Sequence, residues 1–285
     1  MILLKILILA VIQGVTELLP VSSSAHVIVA EKLMRLNPTS PAMTLLLVML
    51  HTGTMFAVIV FFWNSWKERF FKTAGMTWKT LQYIVVASLM TGIVGGALKF
   101  LIEKVFLKGV KHAEIELIFG DLSLVSAALA VVGVLIILSG LKGKTKGFPK
   151  LDLKASCWIG AVQGVCLPFR GFSRSGATIS TGLMLGIERK MVENFSFALA
   201  VVLTPPVILR EVLRLLKAQH VHGLQGSNLC SLFVPSLIGM LLSFAAGFLA
   251  LKWLSNWLER GRWFLFGIYC LCASAVVFVL YWNGL

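Results

Sequence analysis

Residues 2–36 read ILLKILILAVIQGVTELLPVSSSAHVIVAEKLMRL, and residues 155–187 read ASCWIGAVQGVCLPFRGFSRSGATISTGLMLGI. Each stretch is apolar at both ends and interrupted in the middle by proline and a Ser-rich turn, so each is expected to form two short half-helices that enter a membrane and return. An internal echo links them. Gln13-Gly14-Val15, Leu19-Pro20 and Ser22-Ser23-Ser24 recur as Gln163-Gly164-Val165, Leu167-Pro168 and Ser173-Arg174-Ser175. Ordinary kinked helices would carry the same Gly and Pro residues, but the repeated Ser-rich turn favours the broken form.

Working outward, 58% of the 285 residues are apolar and only 13% are charged, and the mean hydropathy is +0.90. A soluble globular domain is excluded. Apolar runs of about twenty residues recur along the chain, each long enough to cross a hydrocarbon core, which makes the protein all-α and polytopic. Full spans are expected at roughly 43–63, 81–101, 117–138, 195–209, 232–251 and 263–281. The fold class is therefore about six transmembrane helices plus two re-entrant broken-helix segments. These are related as an inverted repeat in a single membrane domain, with halves near 1–138 and 155–285 joined by a basic loop at 139–154. The five cysteines, Cys157, Cys166, Cys230, Cys270 and Cys272, lie in apolar stretches without a CxxC pair and read as small hydrophobes.

The net charge of +14 has its meaning in where the basic residues fall. Loops 64–79, 139–154, 188–194 and 252–262 share one side in this topology and carry 14 basic and five acidic residues; the other exposed segments carry ten and five. By the positive-inside rule the first set is cytoplasmic, and no nucleic-acid partner is implied. A cleaved leader is the rival reading of the N-terminus, and Glu17 in the middle of it weighs against that.

Ionisable residues inside a membrane are costly, so Glu17, His26 and Arg174 are the first candidates for chemistry. All three flank the Ser-rich turns. Ser22, Ser23 and Ser24 precede a helix expected to start near Ala25, and Ser173, Arg174 and Ser175 precede one expected over 176–185. Two helix N-termini with free N–H groups, several hydroxyls and one guanidinium fork describe a site for phosphate or diphosphate. Plain helix capping explains any one serine, but it does not require an intramembrane arginine.

Gln13 to His26, QGVTELLPVSSSAH, and Phe172 to Thr178, FSRSGAT, closely resemble the two signature regions of the undecaprenyl pyrophosphate phosphatase family, the bacitracin-resistance phosphatases. The resemblance extends along almost the whole chain. It implies a bacterial inner-membrane enzyme with its site facing the periplasm, which hydrolyses undecaprenyl pyrophosphate to undecaprenyl phosphate and inorganic phosphate. Such an enzyme recycles the lipid carrier for peptidoglycan and other cell-wall glycans and confers bacitracin resistance. It also implies a divalent cation, Mg2+ or Ca2+, and leaves room for a homodimer. Carried over residue by residue, Glu17 looks like the essential carboxylate and a metal ligand, His26 the catalytic histidine and Ser23 a catalytic hydroxyl. Ser22, Ser24, Ser173, Ser175 and Thr178 look like phosphate-binding groups around Arg174. Gln13 stands where the family has a first acidic residue, and Phe169-Arg170 separates Pro168 from Gly171, which makes Arg170 either a second phosphate contact or a structural residue.

The residues leave the route open: His26 can attack phosphorus, or serve as base for Ser23 or for water. His51 either lines the cleft or bonds a neighbouring helix, with the second expected. Asp121 is expected as an interfacial carboxylate just inside its span, His220 and His222 in a polar loop, and Pro205-Pro206 as a kink or a helix end. A type-2 phosphatidic acid phosphatase would need a second histidine soon after Arg174, where the sequence is GATISTGLML. A polyprenyl-lipid flippase or secondary transporter is the rival from another class, since inverted repeats with a midplane anion site serve transport equally well.

Overall fold

The computed structural model describes residues 2–37, 40–106, 119–142, 151–222 and 227–284, and among them every regular element is helical. The order is α1 (Ile2–Leu18), α2 (Ser23–Leu33), α3 (Pro41–Arg69), α4 (Ala74–Leu101), a π-helical turn (Ile102–Phe106), α5 (Leu122–Lys142), α6 (Leu153–Cys166), α7 (Arg174–Met184), α8 (Arg189–His222), α9 (Ser227–Glu259) and α10 (Phe264–Trp282). Among the described residues, six helices are long and apolar enough to cross a membrane: α3, α4, α5, α8, α9 and α10. Both interrupted stretches are broken outright rather than kinked, α1 from α2 over 19–22 and α6 from α7 over 167–173. Lys5, near the start of α1, donates to the carbonyl of Met34 just past α2 at 2.8 Å, so the first pair begins and ends at the same end of the bundle.

Small residues let these helices approach closely, as interfaces between membrane helices require. A Cβ on Gly14 of α1 would fall 2.7 Å from the Ser243 carbonyl of α9, and one on Gly164 of α6 would fall 2.9 Å from the Thr91 carbonyl of α4. Gly14 and Gly164 are the matching glycines of the sequence echo. Some helix packings match as well. With α1–α5 set against α6–α10 in order, the α1–α9 packing corresponds to α6–α4, while α5–α10 and α3–α8 correspond to themselves. Serine and tryptophan bonds supplement the glycine contacts. Ser126 and Ser274 pair across α5 and α10, and the Trp263 indole N–H is shared between Ser139 of α5 and Ser180 of α7 at 3.1 Å each.

Arg69 pairs with Glu188 at 3.3 Å and Lys190 with Glu259 at 3.0 Å, which brings segments 64–79, 188–194 and 252–262 to one end of the bundle. Residues 143–150 of the basic connection, 107–116 of the loop after α4 and 223–226 of the loop after α8 lie outside the described residues.

Two expectations are corrected and one is narrowed. Asp121 stands before α5 rather than inside the span, because its carboxylate accepts from the Ser123 hydroxyl and amide at 2.7 and 2.8 Å and so opens the helix. The Ser123 hydroxyl holds that carboxyl below the ordinary range. Of the two outcomes expected at Pro205-Pro206, a kink or a helix end, the end is ruled out, because α8 runs through both prolines; in hydrocarbon the remaining backbone groups have no partner outside the helix, so the helix continues past them. That continuation also places His220 and His222 in helical backbone rather than in a loop.

Candidate active site

The first broken pair turns sharply. The amide of Val21 bonds the carbonyl of Leu19 at 2.8 Å, and Ser22 follows at φ 67°, ψ 94°, a left-handed conformation without glycine's freedom. Strain of about 1–3 kcal/mol is typical of such a residue and concentrates at functional sites. Part of it is offset here because the Ser22 hydroxyl caps α2, accepting from the Ala25 amide at 3.4 Å. The helix consequently begins at Ser23, two residues earlier than the sequence suggests, and Ser23 and Ser24 occupy its first turn.

The second turn is built in parallel fashion. Ser173 caps α7 by accepting from the Gly176 amide at 3.2 Å, and Arg174 is the first helical residue. Gly171, at φ 99°, packs its backbone against Val125 of α5, a position that a side chain would block. The two turns touch directly. The Gly171 amide donates to the Ser24 hydroxyl at 3.2 Å, and the Ser175 hydroxyl donates to the Leu19 carbonyl at 3.2 Å. Both helix N-termini are thereby fixed side by side.

Glu17, in the last turn of α1, lies at the centre. Its Oε1 accepts from an Arg174 terminal nitrogen at 3.1 Å; its Oε2 accepts from the Ser23 hydroxyl at 2.6 Å and from the Gln13 amide at 2.9 Å. The ion pair is largely buried, with side-chain exposures of 16% for Glu17 and 26% for Arg174. His51 of α3 completes the group, its Nε2 3.8 Å from Glu17 and 3.3 Å from the Gln13 amide nitrogen. Its Nδ1 lies 2.8 Å from the Leu47 carbonyl and must therefore carry the proton, which leaves Nε2 as an acceptor for Gln13. Gln13 thus bridges Glu17 and His51, a role that needs an amide and that a carboxylate could not fill. His51 thus bonds the neighbouring helix α1 through Gln13, as expected, and its ring also faces the Glu17 carboxylate.

His26 lies one turn along α2 from Ser23, on the same face, and among the described residues it makes no bond to Glu17 or Arg174. Its Nδ1 is 2.8 Å from the Ser22 carbonyl and its Nε2 is 2.7 Å from the Tyr269 hydroxyl of α10, the two rings stacked at 5.7 Å. Nothing in the apolar run around Tyr269 marks it out, and a contact spanning 243 positions in sequence has no local signal.

The remaining candidates are placed differently. Ser173, Ser175 and Thr178 are buried, Thr178 completely. The Thr178 hydroxyl donates to the Arg174 carbonyl and pairs with Ser196 of α8 at 2.6 Å. These groups hold α7 in place. Ser22 is also buried, its hydroxyl 3.2 Å from that of Ser24. Arg170, an exposed residue of the second turn, stacks over Phe119 at 4.5 Å, within electrostatic reach of Glu31.

A divalent cation finds one carboxylate here. Among the described residues no three His, Cys, Asp or Glu side chains converge to hold an ion alone, and both Glu17 oxygens already carry donors. Mg2+ is commonly held by one or two carboxylates together with substrate phosphates, whereas Ca2+ takes about six to eight oxygen ligands. The donor set therefore fits a cation that arrives with a diphosphate and is completed by its oxygens.

Comparison with known proteins gives a consistent picture. The family model described as bacitracin resistance protein BacA matches residues 6–276. A relative from Acinetobacter baylyi named undecaprenyl-diphosphatase 2 is 58% identical over 284 residues, 98% of each chain. Relatives named undecaprenyl-diphosphatase from Desulfosudis oleivorans and Halothermothrix orenii are 32% identical over 305 residues (98% and 97% of the two chains) and 30% over 277 residues (97% of each).

Proposed function

The chain belongs to the bacitracin resistance protein BacA family, and from that premise we propose that it hydrolyses undecaprenyl diphosphate to undecaprenyl phosphate and inorganic phosphate. The observation that carries this reading is the Arg174–Glu17 pair, which joins the starts of α2 and α7 around one site. The two helix N-termini and the Arg174 guanidinium bind the diphosphate oxygens, and the hydroxyls of Ser23 and Ser24 add donors. As substrate enters, its oxygens take the side of the Arg174 fork that faces away from Glu17. Glu17 keeps the fork oriented and is the carboxylate that would hold a divalent cation; when bound, the cation supplies Lewis-acid neutralisation of the diphosphate.

Phosphoryl transfer to water needs chiefly positioning and charge stabilisation. Because the Ser22 carbonyl fixes the proton on Nδ1 of His26, Nε2 is the atom able to receive one. Water oxygen forms the new bond to the terminal phosphorus, the bridging P–O bond breaks, and water's proton passes to Nε2. Ser22, Ser173, Ser175 and Thr178 shape the two helix starts and act through them.

The membrane arrangement belongs to the same reading. The α1–α2 and α6–α7 pairs are re-entrant and the two halves are an inverted repeat, supported by the Lys5–Met34 contact and by helix packings that exchange between the halves. The end that gathers basic segments 64–79, 188–194 and 252–262 is cytoplasmic, and the diphosphate site opens to the periplasm of the inner membrane. Released undecaprenyl phosphate returns to cell-wall glycan synthesis, and the activity confers bacitracin resistance.

Detergent-purified protein, with no membrane gradient, should release phosphate from undecaprenyl diphosphate, and His26→Ala should not. Absence of release by the wild type would reject the hydrolase reading.

A further inference from the structure

His26 is held from two sides. The Ser22 carbonyl can only accept, so at 2.8 Å it obliges Nδ1 to be N–H, and the neutral ring then presents a bare lone pair at Nε2. The Tyr269 hydroxyl meets that lone pair at 2.7 Å, and its ring stacks on the imidazole with an interplanar angle of 12°. Ser22 is itself fixed by its left-handed backbone and its capping bond. The imidazole therefore has its tautomer set by α2 and its free nitrogen aimed by α10. Tyr269 is not buried: it is 47% exposed, unlike the neighbouring Cys270. A half-open phenol on the one reactive nitrogen of the histidine has a role beyond packing.

We propose that Tyr269 is a positioning residue for His26, its hydroxyl holding Nε2 in the reactive orientation in the resting state and again once Nε2 is protonated. In the resting state the phenol donates to the Nε2 lone pair. When water approaches, the phenol swings off the lone pair and a water O–H takes its place, the phenol returning once the proton has passed to Nε2. Once Nε2 has taken the proton, Nε2–H donates to the phenol oxygen, which keeps the imidazolium satisfied in an apolar setting until the proton leaves. The phenol keeps its own proton throughout. The proposal rests on the assignment of His26 as proton acceptor in the reaction above.

Tyr269→Phe keeps the ring and its stacking and removes only the hydroxyl. Its kcat should fall about tenfold with KM within about twofold, because the base remains and only its alignment is lost; loss of the base itself would remove about a hundredfold or more. In protein labelled with 15N-histidine, the Nε2 resonance of His26, identified by its loss in His26→Gln, should move when the phenol donor is removed. Wild-type protein grown on 3-fluorotyrosine, a stronger donor, should move the same resonance the opposite way, and this reading does not depend on a variant folding. Wild-type kcat together with an unmoved resonance in Tyr269→Phe, or an unmoved resonance with fluorotyrosine, overturns the proposal. If His26→Ala is inactive while Tyr269→Phe behaves as wild type, only the role of Tyr269 falls. If His26→Ala is fully active, the assignment beneath it falls.

Discussion

Replacing Glu17 by Gln tests the centre of the site with almost no change of shape. The carboxylate accepts from Arg174 on Oε1 and from Ser23 and Gln13 on Oε2. A carboxamide has one oxygen to offer and places an NH2 against donors on its other side. With its oxygen toward Arg174, the Ser23 hydroxyl and the Gln13 amide can reorient to accept, so the loss is mostly that of charge assistance. A hydrogen bond to a charged group contributes about 1.5–3 kcal/mol and a neutral one about 0.5–1.5, so three weakened bonds amount to about 3 kcal/mol. If all of it is expressed in the transition state, turnover falls about a hundredfold. Stability should change less, because Arg174 at 26% exposure can recruit water once its partner is neutral. The assay is phosphate release from undecaprenyl diphosphate by detergent-purified protein, alongside thermal unfolding of both forms. Turnover within threefold of wild type, with unfolding unchanged, would refute the view that the Glu17 charge organises the site.

Arg174→Lys should lose at least about a hundredfold in turnover, since an ammonium cannot reproduce the planar fork. Arg170→Ala should lose much less, since its guanidinium packs on Phe119; the reverse ranking in the same assay would mean the phosphate clamp is misassigned. Chelation should silence the wild-type enzyme and Mg2+ or Ca2+ should restore it, as read by phosphate release before and after metal addition. Gly160→Ala sets a Cβ within van der Waals overlap of the Ala87 backbone, so it should separate α6 from α4 and lower the unfolding midpoint, whereas Gly92→Ala, with open space around it, should not. Cysteine labelling in intact cells should reach residues introduced in 27–42 and in 210–228 from outside but not those in 64–79 or 139–154; labelling of 64–79 from outside would overturn the orientation.

The six spans and the two breaks were legible in the sequence for one physical reason. In hydrocarbon every backbone N–H and C=O must be satisfied within its own segment, so a run of about twenty apolar residues has only the helix available to it. An interruption by Pro and serines then marks where a helix stops. The echo of Gln-Gly-Val, Leu-Pro and the Ser-rich turn marked α1–α2 and α6–α7 alike as helices broken at a Ser-rich turn, and Gly14 and Gly164 within it both sit in close helix packings. Span ends were less legible. Asp121 opens α5 through bonds to Ser123 that hydropathy does not register, and Pro205-Pro206 in α8 shows local propensity overruled by surroundings.

What the sequence by itself determined was composition of the site: one carboxylate, one guanidinium, hydroxyls and a histidine near two helix starts. Which of these meet was decided by tertiary structure. Glu17 and Arg174 are 157 positions apart and come together because α1 packs on α9 and α7 lodges among α5, α6 and α8. The same packing turns Ser175 and Thr178 inward to Leu19 and Ser196, brings His51 to the carboxylate and sets Tyr269 on His26. Spacing along one chain reports which residues share a helix face, because that depends on 3.6 residues per turn. Contact between faces depends on where small residues let helices close on one another, a property of pairs of helices that is absent from either one alone.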